Sequence, residues 1–261
     1  MGVLNCTPDS FSDGGRFATA DAAIAAGQVL FAAGADLVDV GGESSRPGAA
    51  PVSEQDELAR VLPVIAALSR VGLVSVDTMK PAVADAALVA GAVMVNDVSG
   101  LRAPEMVAVV ARHRAAVCVM HMAGTPQTMQ DAPRYDDVVM EVGNVLHDAV
   151  LRAMDAGVRP EGIVVDPGIG FGKSLEHNLA LLRATAMLEA GTGRPVLVGP
   201  SRKAFLGKLT GRAVDERLAG TLGAVAVVAW LGARMVRVHD VAAVADVLHV
   251  VRAVRGAPQP G

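Results

Sequence analysis

Large rings are scarce in this chain: one tryptophan, one tyrosine and five phenylalanines make up 3% of its 261 residues. A core without them must be filled by alanine, valine and leucine, which suits helices packed on a parallel sheet. Cysteine is scarcer still. Cys6 and Cys118 stand far apart and make no disulfide framework; they read as buried thiols in a reducing compartment. No run of Lys and Arg occurs and the net charge is −4, so a general nucleic-acid surface is excluded. No apolar run reaches the ~18 residues of a membrane helix without a charge, so no membrane partner is expected. No basic stretch followed by an apolar one opens the chain, so a cytoplasmic location is expected. Without a secretory signal, the sequon Asn5-Cys6-Thr7 is accidental.

Several chemical motifs are missing too. No G-x-S-x-G elbow supplies a hydrolase serine, and His121 with Cys118 lacks the paired set a zinc site needs. The run Gly168-Ile169-Gly170-Phe171-Gly172-Lys173-Ser174 resembles a phosphate-binding P-loop, but that motif's first glycine would fall on Pro167. Nor is it G-x-G-x-x-G, so a dinucleotide site is unsupported.

What is present is a rhythm. Short apolar, β-branched runs end in polar residues, and helical stretches follow. Ile163-Val164-Val165 runs into Asp166-Pro167-Gly168, a strand leading into a tight loop. Similar runs are Met1 to Asn5, Leu37 to Val40, Leu73 to Val76, Val93 to Val95, Val117 to Met120, Val196 to Val198 and Met235 to Val238. Between them lie helices. Thr19 is a candidate cap for Asp21 to Ala33, and Ser53 caps a helix with Leu58, Val61, Leu62, Ile65 and Leu68 on one face. Pro81 fits a first turn. Val138, Val142, Val145, Leu146 and Ala149 stripe another helix, and Leu175 to Ala190 reads as one continuous helix. A helical region ending at Leu231 breaks near Gly211, and the tail 257–261 reads as disordered.

About eight strand–helix units without a mid-chain linker predict a single (β/α)8 TIM barrel over residues 1–261, with a doubly wound open sheet as the alternative. In a barrel the strand ends converge on one face, where barrel active sites lie. Those ends supply Asn5, Glu43 with Ser45 and Arg46, Asp77, Asn96, His121, Asp166, Lys203, Arg237 and His239. Any one of the acids alone reads equally well as a helix or turn cap. Together, Lys203, Arg46, Arg237 and His239 make a cationic wall suited to phosphate, and Asp166, Asp77 and Asn96 make an acceptor-rich end. The rim therefore suits a ligand with an amino-heterocycle at one end and phosphate at the other.

The chain resembles the dihydropteroate synthases. The resemblance rests on Met1-Gly2-Val3-Leu4-Asn5 with Thr7-Pro8-Asp9-Ser10-Phe11-Ser12-Asp13-Gly14-Gly15, and on Asp39-Val40-Gly41-Gly42-Glu43-Ser44-Ser45-Arg46-Pro47-Gly48. Val76-Asp77-Thr78, Val95-Asn96-Asp97, His121-Met122, Asp166-Pro167-Gly168, Ser201-Arg202-Lys203 and Arg237-Val238-His239-Asp240 follow in the family's order. The resemblance implies a barrel enzyme, a homodimer in bacteria. It would join 6-hydroxymethyl-7,8-dihydropterin pyrophosphate to 4-aminobenzoate, releasing pyrophosphate by an SN1-like displacement, and would be a target of sulfonamides. By the same resemblance, Asp77, Asn96, Asp166 and Lys203 hold the pterin, and Asn5 coordinates Mg²⁺ with the pyrophosphate. Arg237, His239 and Arg46 bind the leaving diphosphate. Phe11 and Asp13 lie on a first loop and Ser45 and Arg46 on a second; Phe11, Ser45 and Phe171 form the aminobenzoate pocket. The catalytic set implied is Asp13, Arg46, Lys203, Arg237 and His239. Two alternatives stand beside this one: a pterin-binding paralogue without activity, and the pterin domain of a cobalamin-linked methyltransferase.

Overall fold

A computed structural model describes residues 1–7, 20–44 and 48–256. The first six strands pair in chain order, all parallel: β1 (Gly2–Asn5), β2 (Leu37–Gly41), β3 (Leu73–Asp77), β4 (Met94–Asp97), β5 (Ala116–Met120) and β6 (Ile163–Asp166). Two short strands, β7 (Leu197–Val198) and β8 (Met235–Val236), pair with each other. Val165 pairs with Val196 and Gly2 with Val238, which closes the ring. Backbone bonds at both seams confirm it: Val165 N–H to Pro195 O at 3.0 Å and Val3 N–H to Val238 O at 3.0 Å. The predicted TIM barrel is found. The eighth strand is shorter than the sequence suggests, because Val238 contributes one isolated pairing rather than a continued ladder.

Ten α-helices are seen among the described residues: α1 (Ala20–Ala32), α2 (Glu54–Leu68), α3 (Pro81–Val89), α4 (Pro104–His113), α5 (Val138–Asp155), α6 (Leu175–Arg183), α7 (Thr185–Thr192), α8 (Ala204–Thr210), α9 (Leu218–Trp230) and α10 (Val241–Val254). Ser53 caps α2 by accepting from Asp56 N–H at 3.1 Å. Pro81 and Pro104 sit in first turns, where a missing N–H costs nothing.

Two helix expectations need correction. The stretch 175–190 is not one helix: it divides at Ala184 into α6 and α7. There Ala184 N–H is shared between Ala180 O and Leu181 O, and the Thr185 hydroxyl bonds Leu182 O at 2.8 Å, so a side chain competes for the helix ladder. Val145 was read as part of the α5 stripe but is 49% exposed, while Val142, Leu146 and Ala149 are buried. It falls at the edge of the stripe, away from the helices that α5 packs on. The Thr19 cap and the tail 257–261 lie outside the described residues.

Strand alternation separates two chemistries. Val38, Val40, Val74, Val76, Val95, Val117, Val119, Ile163 and Val165 are fully buried and join the helices in the main core. The residues between them belong to the barrel interior. Low in that interior, Leu37, Met94, Cys118 and Leu197 form a small separate cluster. Toward the C-terminal strand ends the interior turns polar. Asp39 lies beside Ser75, Asp77 beside Asn96 and Met120 beside Asp166 in the strand register. Ile65 of α2 is among the largest fully buried side chains. Ile65→Ala should therefore cost about 2–5 kcal/mol in urea unfolding; a loss below about 1 kcal/mol would show that α2 does not carry the core as described.

Candidate active site

The site starts where β6 ends. Asp166 is followed by Pro167 and then by Gly168 at φ +67, where an added Cβ would lie 1.9 Å from His121 O. Only glycine permits this reversal. It folds the chain back so that Gly168 N–H donates to Asp166 Oδ1 at 2.7 Å, while Asp166 O accepts from His121 N–H at 3.0 Å. The loop that follows is gripped from several sides. Gly170 N–H reaches Asn178 Oδ1 at 2.6 Å, Gln130 Nε2 reaches Gly170 O at 2.7 Å, and the Tyr135 hydroxyl reaches Gly172 O at 2.9 Å. Lys203 Nζ donates to Ile169 O and sits 4.5 Å from the centre of the Phe171 ring.

These groups border a cleft of about 410 Å³ at the barrel mouth, lined by Asn96, Asp166, Phe171, Lys203, Arg237 and His239. Asp77 borders an adjoining depression of about 240 Å³ with Glu43 and Glu57. Asn5 stands at the exit of β1. A side chain at Gly41 would come within 3.7 Å of Asn5 Oδ1 and 3.6 Å of Asp77 Oδ2, so the glycine leaves those oxygens facing across open space. The structure thus brings together Asn5, Asp77, Asn96, Asp166, Phe171, Lys203, Arg237 and His239. Phe11, Asp13, Ser45 and Arg46 lie outside the described residues.

The expected separation of charge, acidic at one end and cationic at the other, is not found. Arg237 lies among the acids: Nε donates to Asp39 Oδ2 at 2.6 Å and Nη2 to Asp77 Oδ2 at 2.7 Å. Asn96 Nδ2 also donates to Asp39 Oδ2, at 2.9 Å. Asp39 is fully buried in mid-strand and was not singled out from the sequence. A lone acid inside an otherwise apolar β2 was the available signal; one residue off the valine positions, it must face the barrel interior. Lys173, read from the sequence only within the rejected P-loop run, is a second omission; it pairs with the strand-end His121 at 3.0 Å beneath the β6 loop.

Burial dominates the titration of the cluster. It pushes Asp77 up to about 7, with Arg237 pulling the other way, and it raises Asp166 against the pull of Lys203. It lowers Lys203 to about 8 and Lys173 to about 7, both opposed by Asp166. Burial also works against the charge on Arg237, but Asp39 and Asp77 outweigh it and hold the guanidinium well above its usual range. His239 is oriented by Ser201. The serine hydroxyl oxygen accepts the His239 backbone N–H at 3.3 Å and pairs with the ring Nδ1 at 2.9 Å, which fixes the imidazole at the cleft wall.

Among the described residues no group of three or more His, Cys, Asp or Glu is placed to hold a metal. A divalent cation here would need its oxygens from elsewhere. Mg²⁺ takes few protein oxygens, keeps waters and completes its shell with substrate phosphates. Asn5, at the exit of β1 with its Oδ1 across the Gly41 position from Asp77, offers one such oxygen.

Comparison with known proteins agrees with this geometry. Residues 1–239 match the family of pterin binding enzymes. The chain is 43% identical over 261 residues to the dihydropteroate synthase of Escherichia coli (strain K12), covering 99% of this chain and 92% of that one. Among solved structures, it is similar to Yersinia pestis dihydropteroate synthase with a sulfonamide drug (TM-score 0.94, 42% identity, 98% and 94% of the two chains). It is also similar to Xanthomonas albilineans dihydropteroate synthase with 4-aminobenzoic acid (TM-score 0.92, 48% identity, 99% and 93%). The match runs through every strand end that builds the cleft, from Asn5 to His239, and the chain belongs to the pterin-binding enzymes, among the dihydropteroate synthases.

Proposed function

We propose that this protein joins 6-hydroxymethyl-7,8-dihydropterin pyrophosphate to 4-aminobenzoate, giving 7,8-dihydropteroate and pyrophosphate for folate synthesis. One observation carries the reading: Asp166, Asn96, Lys203, Arg237 and His239 border a single cleft at the mouth of the barrel. A flat ring with adjacent N–H and NH₂ donors is held by the carboxylates of Asp166 and Asp77 and the amide of Asn96. Lys203 also bears on the pterin and, with its Nζ 4.5 Å from the Phe171 ring, marks where the pterin end gives way to the aromatic-amine side. Arg237 and His239 address the diphosphate, with Asn5 as the protein ligand of Mg²⁺. When bound, the metal supplies positive charge against the diphosphate oxygens. Phe11, Asp13, Ser45 and Arg46 keep the roles implied by the family resemblance, on loops that complete the aminobenzoate pocket with Phe171. Sulfonamides would occupy that pocket.

The chemistry needs no strong base from the protein. The aromatic amine is neutral near pH 7 and already nucleophilic; the difficult event is departure of the diphosphate. Donors from Arg237 and His239 meet the negative charge that grows as the carbon–oxygen bond breaks. The electron-rich pterin stabilises the cationic carbon, the amine nitrogen attacks it, and the amine proton leaves to solvent. Purified protein given both substrates with Mg²⁺ should release pyrophosphate and dihydropteroate in equal amounts. Binding of the pterin diphosphate without release would favour a paralogue lacking activity. Asp166→Asn should weaken pterin diphosphate binding by about ten- to a hundredfold, from hydrogen bonds to a charged group worth about 1.5–3 kcal/mol each. Unchanged affinity in titration calorimetry would sink that role.

Proton linkage gives a second check. A ring donor bonding Asp77 favours its carboxylate, so binding near pH 6.5, below its pKa of about 7, releases a proton. The anionic diphosphate favours the ammonium of Lys203, so binding near pH 8.5, above its pKa of about 8, takes a proton up. Calorimetry in buffers of different ionisation enthalpy should show the release reduced in Asp77→Asn and the uptake reduced in Lys203→Met. The same sign at both pH values in the wild type would be inconsistent with these environments.

The protein also pairs with itself in this reading. Val227 and Trp230 of α9 and Val250 and Val254 of α10 are exposed on two helices packed together, an apolar surface suited to a second copy. Light scattering should give a dimer for the wild type and a monomer for Trp230→Asp; a monomeric wild type would remove this part of the proposal.

A further inference from the structure

Two lysines flank Asp166, and the mechanism above uses only one of them. Lys203 lines the cleft, whereas Lys173 is 4% exposed and does not. Its Nζ donates to Phe171 O at 2.9 Å, to His121 Nδ1 at 3.0 Å and to His121 O at 3.3 Å. An ammonium has three donors, and each here meets one acceptor. None of those acceptors is a carboxylate. Burial lowers Lys173 to about 7, opposed by the charge of Asp166 and aided by that of Lys203. Burial and the Lys173 charge lower His121 to about 3, so its ring is neutral and accepts at Nδ1.

Such a group is costly to bury, since all three of its hydrogen bonds go to neutral acceptors and Asp166, the opposite charge that acts on it, makes none of them. What it holds is specific. The carbonyl in its grip belongs to Phe171, whose ring lines the cleft and lies against Lys203. The next carbonyl, Gly172 O, is held by the Tyr135 hydroxyl at 2.9 Å, and Tyr135 in turn packs 6.1 Å from the His121 ring. Lys173, His121 and Tyr135 therefore tie the end of β5 to the one stretch of backbone that carries the Phe171 wall.

We infer that Lys173 is a positioning residue for this reaction: by gripping the Phe171 carbonyl it sets the angle at which the Phe171 ring walls the aromatic-amine side of the cleft. The inference rests on the synthase reading and on the placing of Phe171 beside the aminobenzoate. It separates two constants that a general loss of stability would move together. The pterin end is held by Asp166, Asn96 and Asp77 from strands β6, β4 and β3; Lys173 donates no hydrogen bond to them and reaches Asp166 only through its charge. The amine end depends on the loop that it does.

The test uses the whole protein and both substrates. Lys173→Met should raise KM for 4-aminobenzoate about tenfold or more, and Kd for the pterin diphosphate alone by a clearly smaller factor, set by the charge lost beside Asp166. Lys173→Cys, made in a Cys6→Ala, Cys118→Ala background so that no buried thiol is modified, alkylated with 2-bromoethylamine in urea and refolded, regains an ammonium at nearly the same reach, as its thiolate displaces bromide. Its amine KM should return to within about threefold of that background. Lys173→Ala in the same background, treated alike, should not recover. Should the Lys173 variants fail to fold, Tyr135→Phe loosens the adjacent carbonyl and should raise the same KM by a smaller factor without changing pterin affinity. Equal losses in both constants, no recovery on aminoethylation, or an unchanged amine KM in Tyr135→Phe would overturn the inference. A wild type that binds the pterin diphosphate yet releases no pyrophosphate would instead overturn the synthase reading beneath it.

Discussion

The barrel mouth depends on one guanidinium. Arg237 reaches from the end of β8 to Asp39 on β2 and Asp77 on β3, two acids that the fold all but removes from water. Each carboxylate would cost several kcal/mol to bury alone, and removing one partner of such a cluster costs about 3–5 kcal/mol. Asp39 also takes the Asn96 amide from β4, so four strands meet at one carboxylate–guanidinium pair. The pairing explains why the cleft is polar yet compact: its charges lean on one another. It also fixes how a ligand is met. With Nε on Asp39 and Nη2 on Asp77, the planar guanidinium is held at a fixed angle beside the cleft that it lines.

The fold was legible because parallel strands covered on both faces are apolar and end abruptly. The Ile163 to Asp166 run and its seven analogues gave the strands, and their polar ends gave most of the cleft. What was not legible follows from the same physics. Asp39 lies inside its strand rather than at the exit, and reading the strands as apolar throughout passed over it. The inward-facing set, Asp39, Ser75, Asp77, Asn96 and Asp166, shows itself only when alternate residues are taken separately. The break at Ala184 depends on one threonine hydroxyl competing for a backbone carbonyl, which no periodicity carries.

The charge pattern was misread for a different reason. Sorting cations from anions by sequence assumes that like charges gather, but a low-dielectric interior makes opposite charges seek each other. Arg237 stands with the acids and Lys203 near Asp166 because burial would otherwise neutralise them. The loops bearing Phe11, Asp13, Ser45 and Arg46 are outside the described residues.

Groups this poorly solvated persist only where something else holds the fold. Asp39 Oδ1 and Ser75 Oγ, neighbours in register, have no hydrogen-bond partner among the described residues, and Lys173 donates its three hydrogen bonds to neutral acceptors only. Each is a debit against stability of the kind that active sites accumulate. The outward face of the same strands offsets them: a layer of mainly valine and isoleucine packed on the helices, whose one buried acid, Asp97 at the end of β4, accepts from Ser99 and Leu101 N–H. Because alternate residues of one strand serve these two layers, the polar mouth can change without touching the apolar shell. The division also predicts where mutations act. Substitutions at outward positions should reduce stability and spare affinity in the surviving protein, and those at inward positions near the mouth should do the reverse. A core valine truncation that altered ligand affinity at full folding would break this separation, since it would mean that the shell is transmitting shape to the site rather than only supporting it.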